Sequence, residues 1–197
     1  MPRNASVART TRETSIAVEV SLDGPAHARI ETPIPFLSHM LDQLARHGRL
    51  GLSIDARGDT HIDGHHTTED LALTLGQAVA QALGDKRGIR RYGSATLPMD
   101  EACVTCAIDL SGRPFYVGRL GLPKATIGAF DCDLVDVFYE GFARGAACNL
   151  HLYKLGGDNL HHIVEVSFKA FARALQQALA VEDPGGEVPS TKGKLAE

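Results

Sequence analysis

Apolar and polar residues alternate at the start of the chain. Ile16, Val18 and Val20 take every second position inside a β-leaning run from Val7 to Leu22. Asp23-Gly24-Pro25 then turns the chain, and His27 to Thr32 reads as the returning strand of a hairpin. Pro33 and Pro35 end that strand. From Phe36 to His47 the period lengthens, placing Phe36, Met40, Leu41 and Leu44 on one stripe of a helix that Gly48 stops. Leu50 to Ala56 alternates again and reads as a strand. A polar loop leads into a second helix, which runs through Leu71 to Leu83 and ends at Gly84.

The same order then returns. Ser94 to Leu110 reads as a strand, Ser111-Gly112 as a turn and Pro114 to Leu120 as a return strand. A linker with Pro123 and Gly128 precedes a helix from Leu134 to Arg144, a strand from Cys148 to Leu155, and a last helix ending at Leu179. Leu44-Ala45-Arg46 lies over Phe142-Ala143-Arg144, and Leu52 over Leu150, at a constant offset of 98. The pattern predicts one domain, residues 1–197, made of two β-β-α-β-α repeats, about 5–93 and 94–183, and a tail, 184–197. The expected fold is an α/β (α+β) sandwich with mostly antiparallel sheets and four main helices.

Candidate chemistry gathers where the two longest helices begin. Asp63-Gly-His-His-Thr-Thr-Glu-Asp70 is echoed by Asp158-Asn-Leu-His-His-Ile-Val-Glu165. Each copy has adjacent histidines and a glutamate three residues after the second. With a helix starting at the pair, His65 and Glu69 share a face at i and i+4, whereas His66 points about 100° away. One such motif alone would suit a helix N-terminus, whose dipole favours carboxylates. Two copies point to metal. Imidazole and carboxylate without thiolate suit Mn, Fe or Zn. His39 lies three residues into its helix, and its repeat counterpart is Val137, which cannot bind metal; Asp136 and Glu140 lie within a turn of it.

Composition narrows the class without changing this picture. With 44% hydrophobic residues, 22% charged and a net charge of −4, the chain is an ordinary globular protein rather than a nucleic-acid binder. A small anionic substrate needs only a few placed cations and is compatible with that balance. No apolar run reaches the 18 or so residues of a membrane span, and no signal-like segment opens the chain, so a cytoplasmic location is expected. Cys103 and Cys106, three apart on a strand, face opposite ways, and all four cysteines are expected to be reduced. These residues alone leave three classes open: a metal-dependent lyase, a dinuclear metallohydrolase, and a non-catalytic metal protein with a closed shell.

One resemblance carries further. Phe36-Leu-Ser-His-Met-Leu-Asp-Gln-Leu44, His65-His-Thr-Thr-Glu-Asp70, Pro98-Met-Asp-Glu-Ala102, Ser111-Gly-Arg-Pro114 and Asn159-Leu-His-His-Ile-Val-Glu165 resemble the imidazoleglycerol-phosphate dehydratases. Phe168-Lys-Ala-Phe-Ala-Arg-Ala-Leu175 and Pro189-Ser-Thr-Lys-Gly193 resemble them too, so the match spans nearly the whole chain. The resemblance implies dehydration of D-erythro-imidazole-glycerol phosphate to imidazole-acetol phosphate in histidine biosynthesis. It also implies two Mn2+ per active site and a shell of 24 subunits with sites between them. Carried over by position, His39, His65, His66, Glu69, His161, His162 and Glu165 would be metal ligands. His39, His47, His65, Glu69 and His161 would also meet substrate, as would Glu13. Arg91, Arg113, Lys169, Ser190, Thr191 and Lys192 would hold the phosphate end. Glu13 or Asp100 would be the acid or base. Relatives often carry a histidine where this chain has Val137, so the second metal would lack a ligand. The tail is expected to close over substrate.

Overall fold

Each half of the chain builds one four-stranded mixed sheet with two helices on its inner face; the computed structural model describes residues 3–195. The first half contains β1 (Asn4–Thr10), β2 (Thr14–Ser21), β3 (His27–Glu31), α1 (Pro35–Gly48), β4 (Gly51–Gly58) and α2 (His65–Leu83). The second contains β5 (Tyr92–Met99), β6 (Ala102–Asp109), β7 (Phe115–Arg119), a small hairpin of β8 (Thr126–Ile127) and β9 (Phe130–Asp131), α3 (Asp133–Ala146), β10 (Asn149–Gly156) and α4 (Leu160–Leu179).

The four helices and the sandwich are as expected, but each repeat has one more strand than the alternation suggested. The run Val7–Leu22 folds back on itself between β1 and β2. There Thr11 Oγ1 accepts hydrogen bonds from the Glu13 and Thr14 amides, at 3.1 and 3.0 Å. Ser94–Leu110 likewise breaks at Asp100, whose φ of 49° is left-handed. The strands after each turn also pair differently. β3 does not return along β2. Instead β4 inserts between them, antiparallel to β2 and parallel to β3, giving the order β1-β2-β4-β3. The reason is α1, which carries the chain back over the sheet before β4 is laid down; a parallel neighbour needs such a crossover. The second sheet, β5-β6-β10-β7, repeats this order.

The duplication holds at the level of register. Asn4 pairs with Ser21 as Tyr92 does with Asp109, and His27 pairs with Gly51 as Phe115 does with Asn149. The offset is 88 through β7, rises to 98 over α3 and β10 because the β8–β9 segment has no first-half counterpart, and is 96 at the histidine pairs.

The layers run sheet, helices, helices, sheet. α2 lies on β1 and β2, and α4 lies on β5 and β6; α1 packs on α4, and α2 on α3. The α2–α3 crossing is close because glycines face it: a Cβ on Gly76 would meet the Phe142 carbonyl at 2.5 Å and the Ala146 nitrogen at 2.6 Å. One apolar cluster runs through both halves. Its centre is the aromatic group Phe138, Tyr139, Phe142, Phe168 and Phe171, with the Tyr139 hydroxyl 2.9 Å from Ser167 Oγ. All four cysteines are unpaired, and burial pushes the Cys148 thiol up to about 12. Cys106 is buried and Cys103 is not, as opposite faces of β6 require. Among the described residues, no helix is long and apolar enough to cross a membrane.

Candidate metal centre

Both histidine pairs do open helices. The Asn159 side chain caps α4 by accepting from the His161 and His162 amides at 3.0 and 3.4 Å, and Asp63 Oδ1 accepts from the His65 amide at 2.8 Å. Within each pair the rings stand nearly perpendicular, at 88° for His65 and His66 and 86° for His161 and His162. The divergence expected from helical geometry is therefore present.

The α1–α4 crossing brings His39 of the first half against His161 and Glu165 of the second. Glu165 Oε2 lies 3.2 Å from His39 Nε2 and 3.0 Å from His161 Nε2, and the three ligand atoms all lie within 4.8 Å of one another. Phe36 packs edge-on to the His161 ring, with centroids 5.2 Å apart. Burial alone would push the Glu165 carboxyl up. Hydrogen bonds from Lys169, His39 and His161 outweigh it and hold the group down at about 2. Lys169 Nζ sits 2.6 Å from Glu165 Oε1 and supplies a positive charge there. Two imidazole nitrogens and one anionic oxygen converging without sulfur fit a borderline or hard divalent cation.

At the pseudo-equivalent α2–α3 crossing the set is smaller. His65 and Glu69 take the places of His161 and Glu165, and half-buried Val137 takes that of His39. Glu69 Oε1 is instead paired with Arg144 Nη1 at 3.0 Å. Asp136, a possible substitute, accepts from the Tyr116 hydroxyl at 2.5 Å, and Glu140 is exposed. His39, His161 and Glu165 are the one triple of possible ligands that gathers among the described residues. A cavity of ≈ 760 Å³ nevertheless borders both places; Pro33, Phe36, His39, His65, Phe130 and Leu134 are among its walls.

The second histidine of each pair has a carboxylate on Nδ1. His66 Nδ1 is 2.9 Å from Asp59 Oδ2, and His162 Nδ1 is 2.8 Å from Glu101 Oε2. These contacts raise both histidines above their ordinary value. They lower Asp59, and they hold Glu101, which also accepts from the Asn159 amide, down at about 2. Neither Asp59 nor Glu101 stood out in the sequence as a site residue, although Glu101 lies in the Pro98–Ala102 motif. Glu13 and Asp100 stand at the hairpin tips nearby, with Glu13 Oε2 3.9 Å from His66 Nδ1 and Asp100 Oδ2 3.8 Å from His162 Nε2.

The expected phosphate residues are more dispersed. The Arg91 guanidinium binds Asp109 through Nε and Nη2, at 2.7 and 3.1 Å, and donates from Nη1 to the Pro189 carbonyl at 2.8 Å. It thereby ties the tail to β6. Ser190 to Gly193 form a tight turn just beyond, with the Gly193 amide 2.9 Å from the Ser190 carbonyl and Thr191 and Lys192 exposed. Arg113 is exposed on the loop before β7 and makes no ion pair among the described residues. His47, 3.2 Å from Gln43 Oε1, is pushed down by burial and then by Lys169 and Arg173, which places it on the Lys169 side of the cluster.

Comparison with known proteins gives a consistent result. Residues 32–175 match the family model for imidazoleglycerol-phosphate dehydratase. The imidazoleglycerol-phosphate dehydratase of Geobacter sulfurreducens is 52% identical over 195 residues, covering 99% of this chain and 100% of that protein. That of Ruegeria pomeroyi is 54% identical, covering 98% and 100%. The crystal structure of the Staphylococcus aureus enzyme superposes with a TM-score of 0.81 at 36% identity, covering 90% of this chain and 99% of that one.

Proposed function

Because the chain belongs to the imidazoleglycerol-phosphate dehydratase family, a family of hydro-lyases, we propose that it converts D-erythro-imidazole-glycerol phosphate to imidazole-acetol phosphate and water using two Mn2+ per active site. The observation that carries the metal part is the convergence of His39, His161 and Glu165 from opposite halves of the repeat. Mn2+ bound there would act as a Lewis acid and template for the substrate's imidazole ring.

The chain's own residues supply the rest. His39, His161 and Glu165 hold one ion, while His65 and Glu69 serve the second. His66 and His162 point away from both sets, which suits ligands offered to a neighbouring copy. That divergence supports a homo-oligomer with sites between subunits; the number of 24 chains comes from the family resemblance. The reaction removes hydroxide from the carbon beside the ring and a proton from the next carbon, giving an enol that becomes the ketone. That C–H is not acidic, so a positioned carboxylate is needed. Glu13 and Asp100 are exposed at hairpin tips beside the second histidines, where either can take or return a proton. Arg113, Lys169 and the turn Ser190-Thr191-Lys192 carry the donors for phosphate. Arg91 keeps that turn within reach by holding Pro189.

The test is ketone formation from imidazole-glycerol phosphate by metal-stripped and Mn2+-reloaded protein. Activity lost on stripping, restored by Mn2+, and abolished by His65→Ala and His162→Ala is expected. Full activity after rigorous chelation would refute the metal requirement, and release of inorganic phosphate instead of ketone would make the protein a hydrolase. Removing residues 188–197 is expected to weaken substrate binding or turnover sharply; parental kinetics would exclude a closing role for the tail. On size-exclusion chromatography with Mn2+, a single 21.1 kDa chain would defeat the shared-site assembly.

A further inference from the structure

Glu13 and Glu101 occupy the same position of the repeat. Each directly precedes the second strand of its hairpin, β2 from Thr14 or β6 from Ala102, at the offset of 88 that relates the two registers. Each hairpin tip faces the second histidine of one pair. The two glutamates nevertheless make different contacts. Glu101 Oε2 takes His162 Nδ1 at 2.8 Å, and its other oxygen accepts from the amide of Asn159, the residue that caps α4, at 3.0 Å. Glu13 stays 3.9 Å from His66 Nδ1, because Asp59 already holds that nitrogen at 2.9 Å.

Asp59 follows β4, and the residue that follows β10 in the second repeat is Gly157. No side chain fits there. A Cβ at 157 would meet Ala102 Cα at 2.6 Å and Ala102 Cβ at 2.7 Å, and φ is +108°, which disfavours any residue but glycine. The second half thus cannot place an acid where the first half has Asp59. The same histidine contact is reached from two unrelated positions, a post-strand loop in one half and a hairpin tip in the other. Asp59 is largely withdrawn from solvent, with a side chain 13% exposed, and its second oxygen is buried without a partner. That burial is hard to account for as a surface ion pair.

We propose that Asp59 and Glu101 are positioning residues for His66 and His162, and that Asp59, by holding His66, leaves Glu13 free for proton transfer. A neutral imidazole has one N–H; a carboxylate on Nδ1 selects the tautomer that carries it there and leaves the Nε2 lone pair for a cation. This inference rests on the reading of His66 and His162 as Mn2+ ligands.

Solid-state 15N NMR of metal-free, 15N-histidine-labelled protein reads the tautomer directly, with His66→Ala and His162→Ala spectra assigning the signals. Calorimetric titration with Mn2+ reads affinity on the same samples. In samples held alkaline enough that the ring is neutral, His162 is expected as the Nδ1–H form in the parent. Glu101→Ala should mix the tautomers and weaken Mn2+ binding by roughly 10–100-fold. Glu101→Gln, which keeps a carbonyl acceptor, should restore the tautomer and most of the affinity. Asp59→Ala should do to His66 what Glu101→Ala does to His162. Glu13→Ala should leave the His66 tautomer and Mn2+ affinity at parental values while turnover falls. Parental tautomer and affinity in Glu101→Ala would overturn the proposal, as would a Glu13→Ala variant that disturbs His66. Unchanged Mn2+ binding in His162→Ala would instead sink the ligand reading, and the tautomer spectra would still decide whether Glu101 orients the ring.

Discussion

Gly76→Ala sets two effects of known size against each other at the α2–α3 crossing. In an isolated helix the change is favourable by about 1 kcal/mol, because alanine is the better helix former. Here the new Cβ would lie 2.5 Å from the Phe142 carbonyl oxygen, 2.6 Å from the Ala146 nitrogen and 2.9 Å from the Gly145 carbonyl carbon. All three are main-chain atoms, so no rotamer change relieves them and the helices must separate. Overpacking of this kind costs roughly 1–3 kcal/mol, and separation also weakens dispersion along the rest of the contact. The clash therefore wins, with a net loss of up to about 2 kcal/mol after the propensity gain. For a chain of this length that lowers Tm by up to roughly 8 °C, readable by calorimetry on metal-free protein. Gly141→Ala is the control: its Cβ would come no closer than 3.1 Å to Ala72 Cβ and the Glu69 carbonyl, a fit that small adjustments relieve. A Gly76→Ala variant that melts higher than the parent would show that the crossing is not set by backbone contact.

Val137→His should add the missing imidazole beside His65 and Glu69 and tighten the weaker class of Mn2+ sites by at least ~10-fold, about 1.4 kcal/mol; a calorimetric isotherm identical to the parent's would refute the assignment of that place as the poorer one. Phe168→Ala, in the aromatic group joining α3 to α4, should cost roughly 3–5 kcal/mol and lower both halves in one thermal transition; two separated transitions would show that the halves unfold independently. Lys86 is buried against the Leu110 carbonyl at 3.1 Å, and burial depresses its ammonium below the ordinary 10.5. Between its folded value and 10.5 the unfolded chain binds the extra proton, so this residue makes stability rise with pH across that window, and below it the penalty is fully present. Lys86→Met should remove that rise in urea melts taken at increasing pH toward 10.5; an unchanged slope would mean that the buried ammonium is not its source.

Much of this was legible in the chain before any coordinates. The four helices followed from apolar stripes, with Gly84 closing one of them and Gly48 marking the end of another to within a residue, and the two histidine pairs announced their own helix starts. The extra turn in each long β run was not legible. Thr11-Arg12-Glu13 contains neither glycine nor proline, and period-two alternation continues on both sides of it, so nothing marks the reversal. Asp100 adopts a left-handed φ that sequence would sooner assign to glycine. The parallel pairing of β3 with β4 was hidden for another reason. Asp23-Gly24-Pro25 fixes a bend, but which strand lies alongside is decided by α1, far along the chain. In the site, His39 could be matched to Val137 by repeat arithmetic, whereas its meeting with Glu165 depends on how α1 crosses α4. Asp59 and Glu101 went unseen because their histidine contacts come from loops 7 and 61 residues away in sequence.

The inserted central strand has a kinetic consequence. Each antiparallel hairpin closes over a few residues and can zip within microseconds. Neither β3 nor β7 has anything to grip until the following helix has formed and delivered β4 or β10 beside it. Those five-residue outer strands are thus the late additions to each sheet, and the loop before α1, whose Pro33 lines the cleft beside Phe36 and His39 of the helix, settles only when β3 docks.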